Sequence, residues 1–227
     1  MNSVIALIYN AILNGTPLMY GTLGEILTEK SGNMNLGVEG MMYMGGAVGL
    51  AGAFYYGKMA GEGAIGMVAV LIAILLAFIA GAFGALIFSF ITISLRANQN
   101  VTGLALAIFG TGIGQFIGEY MRTKEGGYVV ISNELKNFFQ MSPFPKTLQD
   151  IPVVGKLIFG HNIFVYLGII IALIMAFYMN KTRFGLNLRA VGESPATADA
   201  AGINIIRYKY MATVIGGGIS AIGGMVY

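Results

Sequence analysis

The chain has 227 residues, of which 56% are hydrophobic and only 10% are charged. A soluble domain carries about 25% charged residues, so this composition excludes a chain that covers its surface with charge. The net charge of +3 comes from basic residues that flank apolar runs, which argues against a nucleic-acid partner. The absence of cysteine excludes disulfides and thiol chemistry within these residues.

Six apolar runs predict six membrane-spanning helices, because one span needs roughly 20 apolar residues. They cover residues 4–27, 38–56, 64–94, 101–120, 163–180 and 210–227. The first run lacks a basic start and is interrupted by Asn14, Gly15 and Pro17, so we expect a retained span and not a signal peptide. The predicted fold class is an all-α, polytopic transmembrane bundle, with residues 1–227 in one domain. Because the chain stops inside an apolar run, we expect it to be truncated at the carboxyl end.

A polar, glycine-rich break at residues 28–37 separates the first two spans, within the sequence SGNMNLGVEG of residues 31–40. One interpretation is an ordinary turn between helices. The other is a discontinuous helix beside a water-filled pathway, where non-helical backbone is tolerated at membrane depth. Amide groups offer both hydrogen-bond donors and acceptors to a polar solute, and a carboxylate in the first turn of the next span interacts favourably with the helix dipole. The candidate pathway residues here are Asn33, Asn35 and Glu39.

The polar link LRANQN at residues 95–100 raises the same question at the start of the fourth span. Asn98, Gln99 and Asn100 are further candidate pathway residues, and an ordinary polar loop is the alternative. Beyond that span, residues 121–160 contain three of the five prolines and end in a half-apolar stretch. This segment predicts one or two short helices that lie on the membrane surface.

Residues 181–209 contain a predicted short helix with both ends marked. Ser194 suits the N-cap, Pro195 suits the first helical position and Gly202 suits the residue after the helix end. Two turns rich in alanine are not stable alone in water. The helix therefore either docks on another molecule or is an ordinary loop helix between spans.

The sequence RAVGESPATADAAGI of residues 189–203 closely resembles the coupling-helix segment of permease subunits of ABC importers. The family serves branched-chain amino acids, ribose and other simple sugars, and nucleosides. Three further stretches resemble its nucleoside and simple-sugar branch. They are TPLMYGTLGEILTEKSGNMNLGVEGMMYMGG at residues 16–46, IPVVGKLIFGHN at residues 151–162 and KTRFGLNLRAVGE at residues 181–193.

The resemblance implies that the segment at residues 181–209 faces the cytoplasm and contacts an ATPase. Charge alone decides the orientation poorly, because this topology places seven of the thirteen basic residues inside and six outside. The resemblance settles it, with the amino terminus and residues 121–160 outside. The implied coupling residues are Gly192, Glu193, Ser194, Pro195, Ala198, Asp199 and Gly202.

The function implied is that of a multi-pass permease subunit in the cell membrane, importing a nucleoside or a related small polar solute. A simple sugar or a branched-chain amino acid is the alternative cargo. The implied partners are a cytoplasmic ABC ATPase, a second homologous permease and an extracytoplasmic solute-binding lipoprotein. We expect no cofactor, metal or catalytic activity in this chain, since ATP would be bound by the partner. An ion-coupled transporter and an intramembrane enzyme are the competing classes, and the sequence has no catalytic constellation for the second.

Overall fold

A computed structural model describes residues 3–151 and 154–226, and within these ranges it contains helices and no β-strand. The predicted all-α class is therefore confirmed. Ten α-helices follow one another in these described residues. They are α1 (Ser3–Glu29), α2 (Val38–Ala60), α3 (Gly66–Ser89), α4 (Gln99–Glu125), α5 (Asn133–Gln140), α6 (Lys146–Gln149), α7 (Ile163–Lys181), α8 (Arg183–Glu193), α9 (Pro195–Ala200) and α10 (Ile205–Val226).

Helix α1 runs without interruption through Pro17 and continues to Glu29. The polar break of the sequence is consequently shorter than predicted, and it occupies residues 30–37, called the break segment below. Helix α3 ends in a π-helical turn at Phe90–Ser94, and a second such turn covers Gly155–Phe159.

Helix α10 lies at the centre of the bundle and packs against α1, α2 and α3. Small residues make this possible, because they let helix backbones approach closely. A Cβ atom on Gly216 of α10 would collide with the backbone oxygen of Gly24 in α1. The Ser220 hydroxyl of α10 also donates a hydrogen bond to the Gly21 carbonyl of α1, at 3.2 Å. Substitutions with larger side chains along this contact would push the two helices apart.

Four helical stretches are long and apolar enough to cross a membrane, and these are Val4–Glu29, Gly66–Ser94, Gln99–Glu125 and Ile163–Lys181. Helices α2 and α10 are also predicted spans, but they do not share this sustained hydropathy in the described residues. Both are rich in glycine, and both pack between other helices. Their lower hydropathy fits an interior position, where small residues serve packing.

The outer faces of α4 and α7 are apolar and exposed. Ile108 and Phe116 of α4 are exposed, as are Leu173 and Phe177 of α7. Rows of large exposed apolar side chains along a helix fit contact with lipid better than contact with water. The bundle as a whole is therefore a polytopic membrane protein.

The connecting segments gather at two ends of the bundle. The break segment, α8 and α9 lie at one end, called the break end. At the opposite end, Lys58 of α2 forms an ion pair with Glu125 of α4 at 2.7 Å. Helix α5 also packs there, since a Cβ atom on Gly66 would meet the ring of Phe138. Of the proline-containing segment at residues 121–160, Pro152 and Val153 lie outside the described residues.

Candidate functional site

The break segment places its polar side chains inside and its apolar side chains outside. Asn33 and Asn35 are 2% and 3% exposed, whereas Met34 and Leu36 are 49% and 46% exposed. Ser31 is also fully buried. This alternation is that of an extended strand, in which successive side chains point to opposite faces. Exposed apolar side chains with buried polar ones fit a segment whose outer face meets an apolar environment and whose inner face meets a polar interior.

Side-chain and backbone groups connect the break segment to three helices. Asn33 donates from Nδ2 to the hydroxyl of Thr213 in α10, at 3.0 Å. Gln99 of α4 donates from Nε2 to Asn33 Oδ1 at 3.5 Å, and its own Oε1 accepts from the Met34 backbone N–H at 2.8 Å. Glu25 of α1 accepts from the Asn35 backbone N–H at 2.9 Å. We call Glu25, Asn33, Asn35, Gln99 and Thr213 the polar layer.

Two details of the polar layer bear on its chemistry. The Asn35 Oδ1 atom accepts from the Gly37 N–H at 2.9 Å, so this side chain also shapes the turn into α2. The second carboxylate oxygen of Glu25, Oε2, is buried and has no hydrogen-bond partner among the described residues. A buried polar atom without a partner is costly, and such atoms often mark functional positions. No group of three or more acidic, histidine or cysteine side chains in the described ranges is arranged to hold a metal ion.

The remaining candidate pathway residues lie outside the polar layer. Glu39 is in the first turn of α2, as expected, but its side chain is exposed. Asn98 caps α4 and accepts from the backbone N–H groups of Asn100 and Val101, at 3.0 and 3.1 Å. Asn98 and Asn100 are exposed. Of the predicted set, the structure therefore brings together the buried pair Asn33 and Asn35 with Gln99.

Helix α9 is short and exposed, and Ala198 is its single buried residue. Pro195 occupies the first helical position, as predicted. The carboxyl end is closed by two backbone hydrogen bonds, from Gly202 N–H to Asp199 O at 2.8 Å and from Ile203 N–H to Ala198 O at 3.0 Å. Gly202 has a φ angle of +79°. This pair of bonds with a left-handed glycine is the Schellman arrangement, so the predicted glycine ending is confirmed.

Ser194 begins α9 in a different way from the one predicted. Its hydroxyl forms no bond to a backbone N–H of the helix. It lies 2.7 Å from the Thr197 hydroxyl, which provides an alternative partner on the same turn. The backbone oxygen of Ser194 accepts from the Ala198 N–H at 3.0 Å, so the first turn is still closed.

A close backbone contact connects α8 to the break segment. A Cβ atom on Gly192, near the end of α8, would collide with the backbone oxygen of Lys30. A Cβ atom on Gly32 would come within 3.2 Å of the Gly192 Cα atom, and Gly32 has a φ angle of +79°. The residues just before α9 therefore rest directly on the backbone of the break segment. A movement of α9 that pushes Gly192 toward the break segment would displace residues 30–32 as well.

Sequence reasoning did not single out Glu25 and Thr213 as members of this site. Glu25 is a carboxylate within an apolar span, which is a signal of function by itself. Thr213 carries no such signal, because threonine is common in membrane helices and its contact with Asn33 joins residues 180 positions apart. The Gly32–Gly192 contact is equally invisible in the sequence, since glycines are frequent throughout the chain.

Fold and site together define a multi-pass membrane protein with a buried polar layer and an exposed cap of short helices at one end. The chain belongs to the family described as branched-chain amino acid transport system / permease component, whose model matches residues 7–227. This match confirms the family resemblance that the sequence shows at the break segment and at residues 181–209.

Three relatives are similar over nearly the whole chain. The guanosine ABC transporter permease protein NupQ of Bacillus subtilis is 33% identical over 95% of this chain and 65% of its own length. The nucleoside ABC transporter permease protein NupC of Lactococcus lactis is 29% identical over 100% and 68%. The putative glucose ABC transporter permease protein TsgC13 of Haloferax volcanii is 32% identical over 99% and 63%. The chain thus spans about two thirds of the length of these relatives, and no solved structure matches it.

Proposed function

We propose that the chain is a transmembrane permease subunit of an ATP-driven importer in the cell membrane, and that its cargo is a nucleoside or a related small polar solute. The observation that carries the proposal is the similarity to nucleoside permeases over the whole chain, including the break segment and α9. A simple sugar is the next candidate cargo, because a glucose permease is similar to a comparable degree. A branched-chain amino acid follows from the family description.

The proposed ATPase contact is helix α9 with the residues that flank it. The contact comprises Gly192, Glu193, Ser194, Pro195, Ala198, Asp199 and Gly202. A helix of six residues is too short to be stable by itself, and only Ala198 of α9 is buried against the chain. Docking in a groove of a cytoplasmic ATPase subunit would cover the exposed remainder. ATP would be bound and hydrolysed there, so this chain would need no nucleotide site and no catalytic activity of its own.

Transmission from α9 to the pathway would run through the backbone contact of Gly192 with the break segment. A shift of α8 would displace Lys30 and Gly32, which lie directly beneath Gly192. The adjacent Asn33 is bonded to α10 and α4, so the same shift would strain the bonds of the polar layer. Opening of these bonds would separate α4 and α10 at the break end. Such a rearrangement is of the kind that gives alternating access in transporters.

The proposed pathway residues are Asn33, Asn35, Glu39, Asn98, Gln99 and Asn100. In this conformation the buried amides are bonded to the chain, so a solute would have to replace bonds that the helices now make. Glu25 would join the set, because its Oε2 atom is buried and without a partner among the described residues. Hydroxyl and base groups of a nucleoside would supply the donors for such a carboxylate.

The remaining partners follow from the same assignment. A second, homologous permease subunit would complete the pathway, and an extracytoplasmic binding lipoprotein would deliver the solute. Residues 121–160 would help to receive that lipoprotein, since they contain the short helices α5 and α6 and follow the end of α4 that lies opposite α9. The orientation can be measured with single cysteines, because these 227 residues contain none. Asn133→Cys should react with an impermeant thiol reagent in intact cells, and Asp199→Cys only after lysis.

Ion-coupled transport is the second candidate, and Glu25 is the observation in its favour. A carboxylate within a membrane helix is often part of a proton or ion relay. The two mechanisms differ in their energy source. An ionophore would abolish ion-coupled uptake in vesicles and leave ATP-driven uptake intact.

The direct test is uptake of labelled guanosine into proteoliposomes that contain the full-length permease with its ATPase, second permease and binding protein. The proposal expects uptake only when ATP is enclosed in the vesicle lumen, where the ATPase faces inward, with the binding protein and solute outside. This uptake should be unchanged by ionophores. Unlabelled nucleosides should compete, whereas glucose and leucine should not. Competition by glucose alone would move the cargo to sugars, and uptake without ATP would contradict the importer itself.

A further inference from the structure

A cavity opens between α1 and α7 at the break end of the bundle. Its volume is about 270 Å³. Leu23 and Ile26 of α1 line one wall, and Met175 and Met179 of α7 line the other. Both helices end beside it, at Glu29 and Lys181, so its mouth lies where two predicted spans leave the membrane.

Two cations stand at this mouth. Lys30, the first residue of the break segment, and Arg189 of α8 both line the cavity, and none of the residues that line it is acidic. The Nε atom of Arg189 is buried and has no hydrogen-bond partner among the described residues. A buried guanidinium nitrogen without an acceptor is unfavourable. The site therefore combines apolar walls with two positive charges. One of them, Arg189, has a buried Nε–H donor without an acceptor among the described residues.

We propose that this cavity binds one anionic phospholipid, with an acyl chain between α1 and α7 and its phosphate on Lys30 and Arg189. Basic pockets between membrane helices at the membrane surface suit anionic head groups. Arginine matches the geometry of a phosphate with several donors in one plane, which would satisfy the free Nε–H. The apolar cavity walls favour a lipid over a free phosphate, because a free phosphate would leave those walls uncovered.

The position gives the lipid a structural consequence. It would contact α1, α7 and α8 at once, next to the point where Gly192 rests on the Lys30 backbone. A bound head group would hold α8 against α1. Activity of the assembled transporter would then depend on anionic lipid.

Quenching by brominated lipids tests the proposal, because these 227 residues contain no tryptophan. Ile26→Trp would place a reporter in the cavity wall of the full-length permease, with any tryptophan outside these residues replaced by phenylalanine. The protein is reconstituted in phosphatidylcholine vesicles with equal mole fractions of brominated phosphatidylglycerol or brominated phosphatidylcholine. We expect quenching that corresponds to an about fivefold or larger preference for phosphatidylglycerol, given the attraction of even one basic side chain.

Matched variants separate the site from general charge attraction. Lys30→Gln combined with Arg189→Gln should remove the preference, and Arg189→Lys alone should weaken it, because lysine keeps the charge without the planar donors. Arg96→Gln combined with Arg207→Gln removes two exposed cations that do not line the cavity, and should leave the preference unchanged. If the double cavity variant does not insert, Ala172→Leu narrows the cavity with both cations intact and should weaken the preference.

Three results would overturn the proposal. The first is equal quenching by both lipids in the reporter protein, which would mean that solvent or another part of the longer protein fills the cavity. The second is a preference that survives the loss of Lys30 and Arg189 charges. The third is an equal loss in the control pair, which would indicate a diffuse attraction of the whole surface.

Discussion

The break segment and helix α9 are both short interruptions at the same end of the bundle, and each turns on a glycine with a φ angle of +79°. Their surroundings are opposite. A Cβ on Gly32 would come within 3.2 Å of the Gly192 backbone, whereas one on Gly202 would meet nothing within 4 Å. Side-chain and backbone groups of the break segment bond to α1, α4 and α10, while α9 is exposed apart from Ala198.

A turn signal in the sequence therefore indicates how the backbone bends, but not which partners the turn has. The break segment has its partners within the chain and joins three helices. Among the described residues, α9 buries only Ala198, which leaves the rest of its surface exposed. Substitutions that act on one region and not on the other can therefore separate the two roles.

The largest effect on transport is expected from a substitution that prevents Gly202, the residue after α9, from adopting its left-handed conformation. Gly202→Pro cannot adopt a positive φ angle and loses the N–H that closes the helix, so we expect transport and solute-stimulated ATP hydrolysis to be abolished while the protein still inserts. Gly61→Pro is the matched control, since Gly61 also has a positive φ and open space around it. Full ATPase stimulation in the Gly202 variant would remove α9 from the coupling role.

Reversal of one exposed charge tests the same surface without a change of backbone. Glu193 is exposed next to α9, and Glu193→Arg should abolish stimulated ATP hydrolysis if that surface meets the ATPase. The amount of inserted permease should stay normal. Unchanged stimulation would place the ATPase contact elsewhere.

The next effect concerns the polar layer. Asn35→Leu and Asn35→Gly both remove the oxygen that accepts from the Gly37 N–H, and an unpaired buried group costs about 1–3 kcal/mol. If the amide also serves the solute, uptake per assembled complex should fall on the order of tenfold in both variants. Uptake of a labelled nucleoside, corrected for the amount of complex, gives the answer. Normal corrected uptake in Asn35→Gly would mean that the residue shapes a turn and nothing more.

A smaller, uncoupling effect is expected where the two regions meet. A methyl group at Gly192 would force α8 away from the Lys30 carbonyl, so Gly192→Ala should lower the number of solutes carried per ATP by several-fold. Gly118→Ala is the control, because it is also helical and has free space around it. The ratio of uptake to phosphate release measures this coupling. An unchanged ratio in Gly192→Ala would contradict transmission through this contact.

The smallest effect belongs to the opposite end. His161 is 2% exposed and stacks on Tyr9 at 4.6 Å between ring centroids. Burial lowers the pKa of this imidazole, although its hydrogen bond with Leu157 O acts in the other direction. On acidification, His161 is therefore protonated at a higher pH in the unfolded chain than in the folded protein. The contribution of the neutral, buried imidazole to the free energy of unfolding declines as the pH falls below about 6.5. Thermal unfolding at pH 7.5 and 5.5 should show a smaller pH effect in His161→Phe than in the unaltered protein.

Several features of the molecule follow from short-range rules and were predictable. The apolar runs indicate the long helices, and proline and glycine mark the two ends of α9. Asn98 fits both a pathway residue and a polar loop by its sequence, and its capping bonds to Asn100 and Val101 are those of an ordinary helix start. Such bonds join neighbours in the chain, so residue type and spacing are enough to suggest them.

Other features depend on how helices pack and leave little trace in the sequence. Asn33 and Gln99 were both candidates, but their contact with each other and with Thr213 arises only when α4 and α10 meet the break segment. The Gly32–Gly192 contact joins residues 160 positions apart. Glycine is common in this chain for several reasons, so its presence alone does not indicate which pairs will meet.

Site-specific photo-crosslinking measures directly whether α9 is the surface that contacts the ATPase. A benzophenone amino acid replaces Thr197, which is exposed on α9, or Tyr128, which is exposed at the opposite end. After illumination of the assembled, ATP-hydrolysing complex, the account predicts a crosslink to the ATPase from position 197 and none from position 128. Absence of an ATPase crosslink at position 197, or one from position 128 instead, would contradict it.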